Sequence, residues 1–352
     1  MIKVYLKQAW QLLGHNKLYS SIYIIGTGMA LAMTMTIALI YYVKIAPIYP
    51  EGNRNRTLVM QGATVKYLDN DGMNSSYLSY NFVKDYLLPL ETPEAITSIY
   101  QTFNEYPLVE LASGQEPLPI TVKLVDDKFW KVFTLNFIDG KPFTEADFDS
   151  GIRTAVISTA LSNKLFGSTK AEGKHFKLDG NEYRVSGVVE NVSFVTPTTY
   201  ADVWVPFTIN PNATRTSDWG EGFLGEMDTY ILAKSSTDFH KIKEEVDEVV
   251  RKINASQEKY EFNVLNQPIP HWQNVFRKYT SMEIDWREVF KTLGVMLLAL
   301  LIVPAVNLAG LVSSRMEKRL PEMGIRKSFG ASRAALLNQI LVENLLFTLI
   351  GG

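Results

Sequence analysis

Residues 21–43 form a 23-residue stretch, SIYIIGTGMALAMTMTIALIYYV, that contains no charged side chain. As an α-helix this stretch is about 35 Å long, which is enough to cross a hydrocarbon core of about 30 Å. Its Ile, Leu and Val residues together favour membrane insertion by about 2–5 kcal/mol, and no central lysine offsets that gain. We therefore interpret it as a transmembrane helix. Its apolar core is too long for a cleaved signal peptide, which favours an uncleaved anchor.

Two further apolar stretches follow near the C-terminus. Residues 293–312 carry no charge but contain Pro304, which a neighbouring helix can accommodate in lipid. A third stretch begins near Leu336 and still continues at Gly352, although it includes several polar side chains. The sequence thus predicts two complete spans and the start of a third, and we interpret the chain as an incomplete unit.

The basic residues predict the orientation of these spans. Residues 1–20 contain three lysines and no acidic residue, and residues 313–333 contain six basic residues against two acidic ones. Short, positively charged flanks stay on the cytoplasmic side, whereas long loops cross the membrane largely regardless of charge. Residues 44–286 form such a long loop. The sequence therefore places a large domain outside the cytoplasm.

The composition excludes several functional classes. The 35 basic and 37 acidic side chains leave no net positive charge for nucleic-acid binding. The absence of cysteine excludes disulfides, thiolate zinc sites and cysteine nucleophiles. The four histidines lie in separate segments. Residues 167–174 resemble a phosphate-binding loop but have one residue too many between the glycines, and His175 follows where Ser or Thr is required. We predict no catalytic residue and no metal site.

The large loop alternates β-rich runs with helical patterns, which predicts a mixed α/β domain of two lobes. Asp179-Gly180 reads as a hairpin turn. Ser158 and Gly167 are expected to cap a helix over residues 159–166, and Thr237 to cap one over residues 238–253. The predicted strands are Thr57–Met60, Thr121–Val125, Thr154–Ile157, His175–Leu178, Glu182–Val189 and Thr229–Ala233.

The segment after the second span, SSRMEKRLPEMGIRKSFGASR, predicts a short capped helix. Pro321 suits the first helical position, Glu322 the positive end, and Arg326 with Lys327 the negative end. Gly330 suits the C-terminal stop. A basic loop attracted to anionic lipid explains the charges alone. It does not explain three apolar side chains that could enter a groove: Met323, Ile325 and Phe329.

These residues carry a resemblance to a known family. The sequence from Glu322 to Ala331 resembles the E-x-G-I-R-[KR]-x-x-G-A signature of the MacB/FtsX family of ABC-transporter permeases. Residues 7–17 and 313–319 are similar to that family's N-terminal amphipathic helix and to the lead-in to its signature. Looser similarities to its periplasmic core domain occur at residues 129–133, 140–143, 157–158, 165–167, 173–174 and 185–188.

The resemblance implies a permease subunit without an ATPase domain of its own. It implies a separate ABC ATPase that uses ATP and Mg, a second permease module (as a dimer or a fused half), and a bacterial inner-membrane location with several spans. No cofactor is expected on this chain, and a periplasmic adaptor or envelope protein is a further implied partner. The residues implied to contact the ATPase are Glu322, Met323, Gly324, Ile325, Arg326, Lys327, Phe329 and Gly330.

The leading hypothesis is a subunit that couples ATP hydrolysis to motion of the outer domain, for export or envelope remodelling. The alternative is a membrane-anchored binding or regulatory protein without an ATPase. The sequence does not identify the cargo.

The predicted segments are a cytoplasmic amphipathic helix (1–20), a first transmembrane helix (21–43), an extracytoplasmic MacB-like α/β domain (44–286), a second transmembrane helix (287–312), a cytoplasmic loop with the coupling helix (313–334), and the start of a third transmembrane helix (335–352).

Overall fold

The structure is a computed structural model that describes residues 17–102, 107–111, 116–215, 218–279, 282–334, 336–338 and 340–342. It divides into two compact units. One is Tyr42–Asp285, and the other combines Met1–Tyr41 with Trp286–Gly352. Most of the predicted amphipathic helix (1–20) and of the predicted third span (335–352) lies outside the described residues.

Helix α1, Lys17–Ile45, contains the first predicted span. Among the described residues, Ile24–Ile45 is the one stretch of helix that is long and apolar enough to cross a membrane, with a mean hydropathy of 1.8. Large apolar side chains such as Ile25, Met29 and Met35 are exposed along it. A core helix of a soluble protein would bury such side chains, so their exposure fits a helix that faces lipid.

Helix α7, Trp286–Ser328, is continuous over 43 residues and contains the second predicted span. The prediction that a separate helix begins at Pro321 is therefore wrong. Residues 313–320, SSRMEKRL, consist mostly of good helix formers without glycine or proline, so nothing in them ends the preceding helix. The predicted stop is confirmed, because the helix ends at Ser328 and Gly330 has a φ of 90°.

The unit Tyr42–Asp285 is built on a mixed sheet. Most strand pairs are antiparallel, but Thr154–Ser158 pairs in parallel with Asn181–Val189, and Val122–Val125 with Val203–Pro206. The described strands are β1 Thr57–Met60, β2 Ala63–Tyr67, β3 Met73–Leu78, β4 Ala95–Tyr100, β5 Leu108–Val109, β6 Leu118–Pro119, β7 Val122–Val125, β8 Phe137–Gly140, β9 Thr154–Ser158, β10 His175–Leu178, β11 Asn181–Val189, β12 Val203–Pro206, β13 Leu224–Gly225, β14 Met227–Leu232, β15 Tyr260–Asn263 and β16 Ile269–Pro270.

These strands join in one hydrogen-bonded order, β15-β2-β3-β14-β4-β7-β12-β9-β11-β10-β5-β6. At the sides of this order, β1 pairs with β14 and β16, β13 with β3, and β8 with β11. The α-helices of this unit are α2 Tyr80–Phe82, α3 Phe129–Val132, α4 Glu145–Asp149, α5 Thr159–Phe166 and α6 Phe239–Ala255. Helix α6 packs against β15, and α5 packs against β9 and β11, so helices cover the sheet in both halves of the strand order. The mixed α/β fold is confirmed.

Both faces of the central part of the sheet are buried, as in β9, β12 and β14. Along β9, Ala155 and Ile157 join a larger hydrophobic cluster, and Val156 between them joins a smaller one. Alternate residues of a strand point to opposite faces, so the two clusters cover the two sides. Ile242 of α6 lies in the larger cluster and Phe129 of α3 in the smaller one. The central part of the sheet therefore lies between two hydrophobic cores.

Candidate functional site

The last turns of α7 present an exposed apolar surface. Ile325 is 60% exposed and Phe329 is 87% exposed. Residues four apart lie on the same face of a helix, so these two side chains form one small hydrophobic patch. Arg326 and Lys327 lie between them in the chain, in the last helical turn. Their positive charges stand at the negative end of the helix dipole, which favours that position.

The helix ends in a well-defined hydrogen-bonded cap. The Gly330 N–H donates to the Lys327 carbonyl at 3.1 Å, and the Ala331 N–H donates to the Arg326 carbonyl at 3.0 Å. With Gly330 in the left-handed region, this pair of bonds is a Schellman motif. The cap fixes the direction in which the chain leaves the helix, and so it also fixes the position of Phe329.

The predicted coupling residues thus lie together on one helix end. Met323 is half-buried, whereas Gly324 and Lys327 are exposed. The side chain of Glu322 lies outside what the structure describes. Apolar and cationic groups arranged in this way can bind a complementary protein surface, but they include no nucleophile or general acid–base pair. The ATPase-contacting role of these residues stays a prediction.

A second cluster joins the last turn of α1 to the sheet domain. The Arg54 Nη1 donates to the carbonyl oxygen of Val43 at 2.8 Å, and its Nε donates to Glu51 Oε2 at 3.0 Å. The Arg54 Nη2 also donates to Glu51, and both side chains are buried. On the other carboxylate oxygen, Glu51 accepts a hydrogen bond of 3.2 Å from Thr199 Oγ1.

His271, which lies in the segment before α7, is also part of this cluster. Its Nε2 lies 3.7 Å from Glu51 Oε2 and 3.4 Å from Thr198 Oγ1. Burial, with a smaller effect from the Arg54 charge, lowers the pKa of His271 to about 3. The imidazole is therefore neutral at physiological pH, and the Glu51–Arg54 pair balances its own charge.

Asp228 extends the polar cluster along β14. Its Oδ2 accepts hydrogen bonds from Tyr230 Oη at 2.8 Å and from Gln61 Nε2 at 2.9 Å. Burial raises the pKa of Asp228 to about 6, although these two hydrogen bonds oppose the rise. The Tyr230 ring in turn contacts the His271 ring, with centroids 5.1 Å apart. We call Glu51, Arg54, Thr199, Asp228, Tyr230 and His271 the junction cluster.

Local sequence reasoning missed the junction cluster. Glu51 and Arg54 are three residues apart, which is the one local signal of a pair. His271 and Thr199 come from segments far away in the chain, so only the fold brings them together. Among the described residues, no three His, Asp or Glu side chains group as metal ligands. His175 and His240 are exposed, and His15 lies outside the described residues.

Comparison with known protein families covers both units. Residues 20–249 match the family model of the MacB-like periplasmic core domain. Residues 294–352 match that of the FtsX-like permease C-terminal domain. The first match alone extends over more than half of the chain, and the second contains the exposed end of α7.

Curated relatives agree with these families. The chain is 25% identical over 238 residues to the uncharacterized ABC transporter permease YknZ of Bacillus subtilis, covering 68% of this chain and 56% of that one. It is 23% identical over 223 residues to the macrolide export ATP-binding/permease protein MacB of Bdellovibrio bacteriovorus, covering 61% of this chain and 32% of that one. The chain therefore spans about half or less of these relatives' lengths.

Among solved structures, the extracellular domain of the noncanonic ABC-type transporter YknZ from Gram-positive bacteria aligns with 57% of this chain and 98% of that one. The TM-score is 0.38 and the identity 18%. The two family matches, at residues 20–249 and 294–352, decide the assignment. The chain belongs to the MacB/FtsX family of ABC transporter permeases.

Proposed function

We propose that this chain couples ATP hydrolysis by a separate ABC ATPase to motion of its outer domain, for export or envelope remodelling. The observation that carries the proposal is the exposed, capped end of α7 within a region that matches the FtsX-like family. In this proposal the ATPase chain binds ATP and Mg, and this chain binds neither.

The end of α7 has the properties of a docking element. Burying the exposed rings and methyl groups of Ile325 and Phe329 in a groove of the partner provides about 1.5–3 kcal/mol for each side chain. The adjacent cations, Arg326 and Lys327, favour a groove with an acidic rim. The Schellman cap keeps these groups in a fixed arrangement, which lowers the entropy lost on binding.

In this proposal the junction cluster links the membrane helix α1 to the outer domain. We infer that movement of α1 reaches the sheet through Arg54, which holds both Val43 and Glu51. The chain crosses the bacterial inner membrane more than once in this proposal, with Tyr42–Asp285 on the periplasmic side. It assembles with a second permease module, and an adaptor or envelope protein can bind the outer domain.

Docking can be tested by site-specific crosslinking in native membranes. A photo-reactive phenylalanine analogue at Phe329 should crosslink to a chain that mass spectrometry identifies as an ABC ATPase. Leu320 provides the matched control, because it is 61% exposed on the same helix but lies about 140° around the axis from Ile325. The analogue at Leu320 should give little or none of this product.

Substitution provides the functional counterpart. Ile325→Asp and Arg326→Asp should lose the crosslink and uncouple ATP hydrolysis, whereas Leu320→Asp should retain both. In all three variants the outer domain should unfold at the wild-type temperature, since these residues lie in the other compact unit. If both α7-end variants keep normal ATPase coupling, the proposal fails, and a membrane-anchored binding or regulatory protein without an ATPase becomes the better description.

A further inference from the structure

The loop between β11 and β12 displays Phe194, whose side chain is 76% exposed. We propose that this loop touches the outer surface of the lipid bilayer and that the Phe194 ring inserts between lipid headgroups. Single exposed hydrophobic residues are common on protein surfaces. Phe194 differs from such residues because its loop is held by buried side chains and is bonded to the end of α1.

The loop is held firmly by buried side chains on both sides of Phe194. Val192, Thr196 and Thr199 are buried. The Thr196 Oγ1 donates to the Ser193 carbonyl at 2.8 Å. The single hydroxyl proton of Thr199 is shared between the Thr196 carbonyl and Glu51 Oε1, each 3.2 Å from Thr199 Oγ1. The surrounding residues therefore fix the backbone at Phe194 and leave its ring pointing into solvent.

The loop is attached to the last turn of the membrane helix. Three hydrogen bonds in series lead from Thr199 to Glu51, from Glu51 to Arg54, and from Arg54 to the carbonyl oxygen of Val43. Val43 is also the last residue of the uncharged stretch 21–43. Because that stretch is about as long as a hydrocarbon core is thick, Val43 lies at the level where acyl chains give way to headgroups.

Further aromatic side chains lie close to this series of hydrogen bonds. Trp272 follows His271, which contacts Thr198 of the same loop, and its ring is partly exposed. Tyr49 lies between Val43 and Glu51 in the chain and is also partly exposed. Tryptophan and tyrosine are enriched at membrane–water interfaces, where one end of the ring is apolar and the other is hydrated. This setting favours lipid as the occupant over a soluble protein.

The absence of cysteine allows a direct test in the full chain. Phe194→Cys is labelled with the environment-sensitive dye NBD and reconstituted into vesicles of phosphatidylethanolamine and phosphatidylglycerol. Ile152→Cys is the matched control. Ile152 is 52% exposed and precedes β9, whereas the Phe194 loop follows the C-terminal end of β11, and these two strands run parallel. The two positions therefore lie at opposite ends of these two parallel strands.

The dye at position 194 should emit at shorter wavelength than the dye at position 152. It should also be quenched by nitroxide groups on the lipids and protected from aqueous iodide. Equal emission and equal iodide quenching at the two positions would overturn the proposal. Protection from iodide without quenching by lipid nitroxides would overturn it as well, because a protein then covers Phe194. Both labelled variants must keep the wild-type unfolding temperature, which excludes local unfolding as the cause of any difference.

Discussion

Two neighbouring arginines show how burial changes the value of an ion pair. Arg54 and Glu51 are buried together, whereas Arg56 and Glu94 form a pair in which both side chains are 30% exposed. Removing one partner of a buried pair leaves an uncompensated charge in the interior and costs about 3–5 kcal/mol. A pair that water still reaches, such as Arg56–Glu94, contributes about 1 kcal/mol or less, because water screens both charges.

We therefore expect Glu51→Gln to lower the free energy of unfolding by about 3–5 kcal/mol and Glu94→Gln to lower it by about 1 kcal/mol or less. Both substitutions keep the size of the side chain and an oxygen acceptor. Chemical denaturation of the full chain in detergent, followed by near-UV circular dichroism, measures the two effects. Equal losses in the two variants would contradict the assignment of Glu51 to a buried pair.

His271 makes the stability of the outer domain depend on pH. Its pKa is about 3 in the folded state and about 6.5 when unfolded, so between these values the unfolded chain binds a proton that the folded chain does not. Stability from this residue is therefore lost as the pH falls below about 6.5. Asp228 has the opposite effect, because its folded pKa of about 6 exceeds the usual 3.8.

The two opposing residues can be separated by comparison with His271→Gln, which has no titrating imidazole. The stability difference between wild type and this variant should shrink by at most about 1.4 kcal/mol per pH unit as the pH is lowered from 6 to 4. Urea unfolding at several pH values measures that difference. A pH-independent difference would mean that the folded state protonates His271 as readily as the unfolded state does.

At the scale of elements, the end of α7 contains two glycines with opposite requirements. Gly324 lies inside the helix with open space where a Cβ would stand, whereas Gly330 has a φ of 90°. Alanine at position 324 should stabilise the helix by about 0.5–1 kcal/mol, and alanine at position 330 should destabilise its end by about 1–2 kcal/mol. Amide hydrogen exchange of residues 325–331 should therefore slow in Gly324→Ala and accelerate in Gly330→Ala. Changes of the same sign would contradict the cap.

Elements with local signals could be predicted from the sequence. Ser158 caps α5 through a hydrogen bond from the Leu161 N–H, and Gly167 follows it in the left-handed region, as predicted. The Asp179-Gly180 turn joins β10 to β11, and β1 has the predicted bounds. In each case a few adjacent residues determine the conformation, so their pattern is sufficient.

Elements that depend on residues far away in the sequence were harder to predict. One local signal was also missed, because Ser235, not Thr237, caps the 3₁₀ turn before α6 and pairs with Asp238 in a capping box. The short strands β5, β6, β13 and β16 have only two residues each, too few for a period-two pattern. The junction cluster was missed for the same reason, since Glu51 and His271 meet only through tertiary structure.

At the scale of the whole molecule, both chain connections of the outer domain meet at the junction cluster. The segment after α1 supplies Glu51 and Arg54, and the segment before α7 supplies His271. The cluster rests on β14 through Tyr230 and Asp228, and β14 pairs with β1 and β4. The two connections and the sheet are therefore linked by short, buried contacts.

This arrangement predicts that coupling and docking can be separated. Arg54→Lys keeps the positive charge but cannot bond both Val43 and Glu51 with the planar fork of a guanidinium. In vesicles that contain the partner ATPase, the wild-type chain should show an ATP-dependent change in hydrogen exchange at residues 269–277. Arg54→Lys should lose most of that change while keeping the Phe329 crosslink, and the control Arg56→Lys should keep both. Loss of the crosslink in Arg54→Lys would mean that the junction and the end of α7 act as one folding unit rather than as two ends of a transmission.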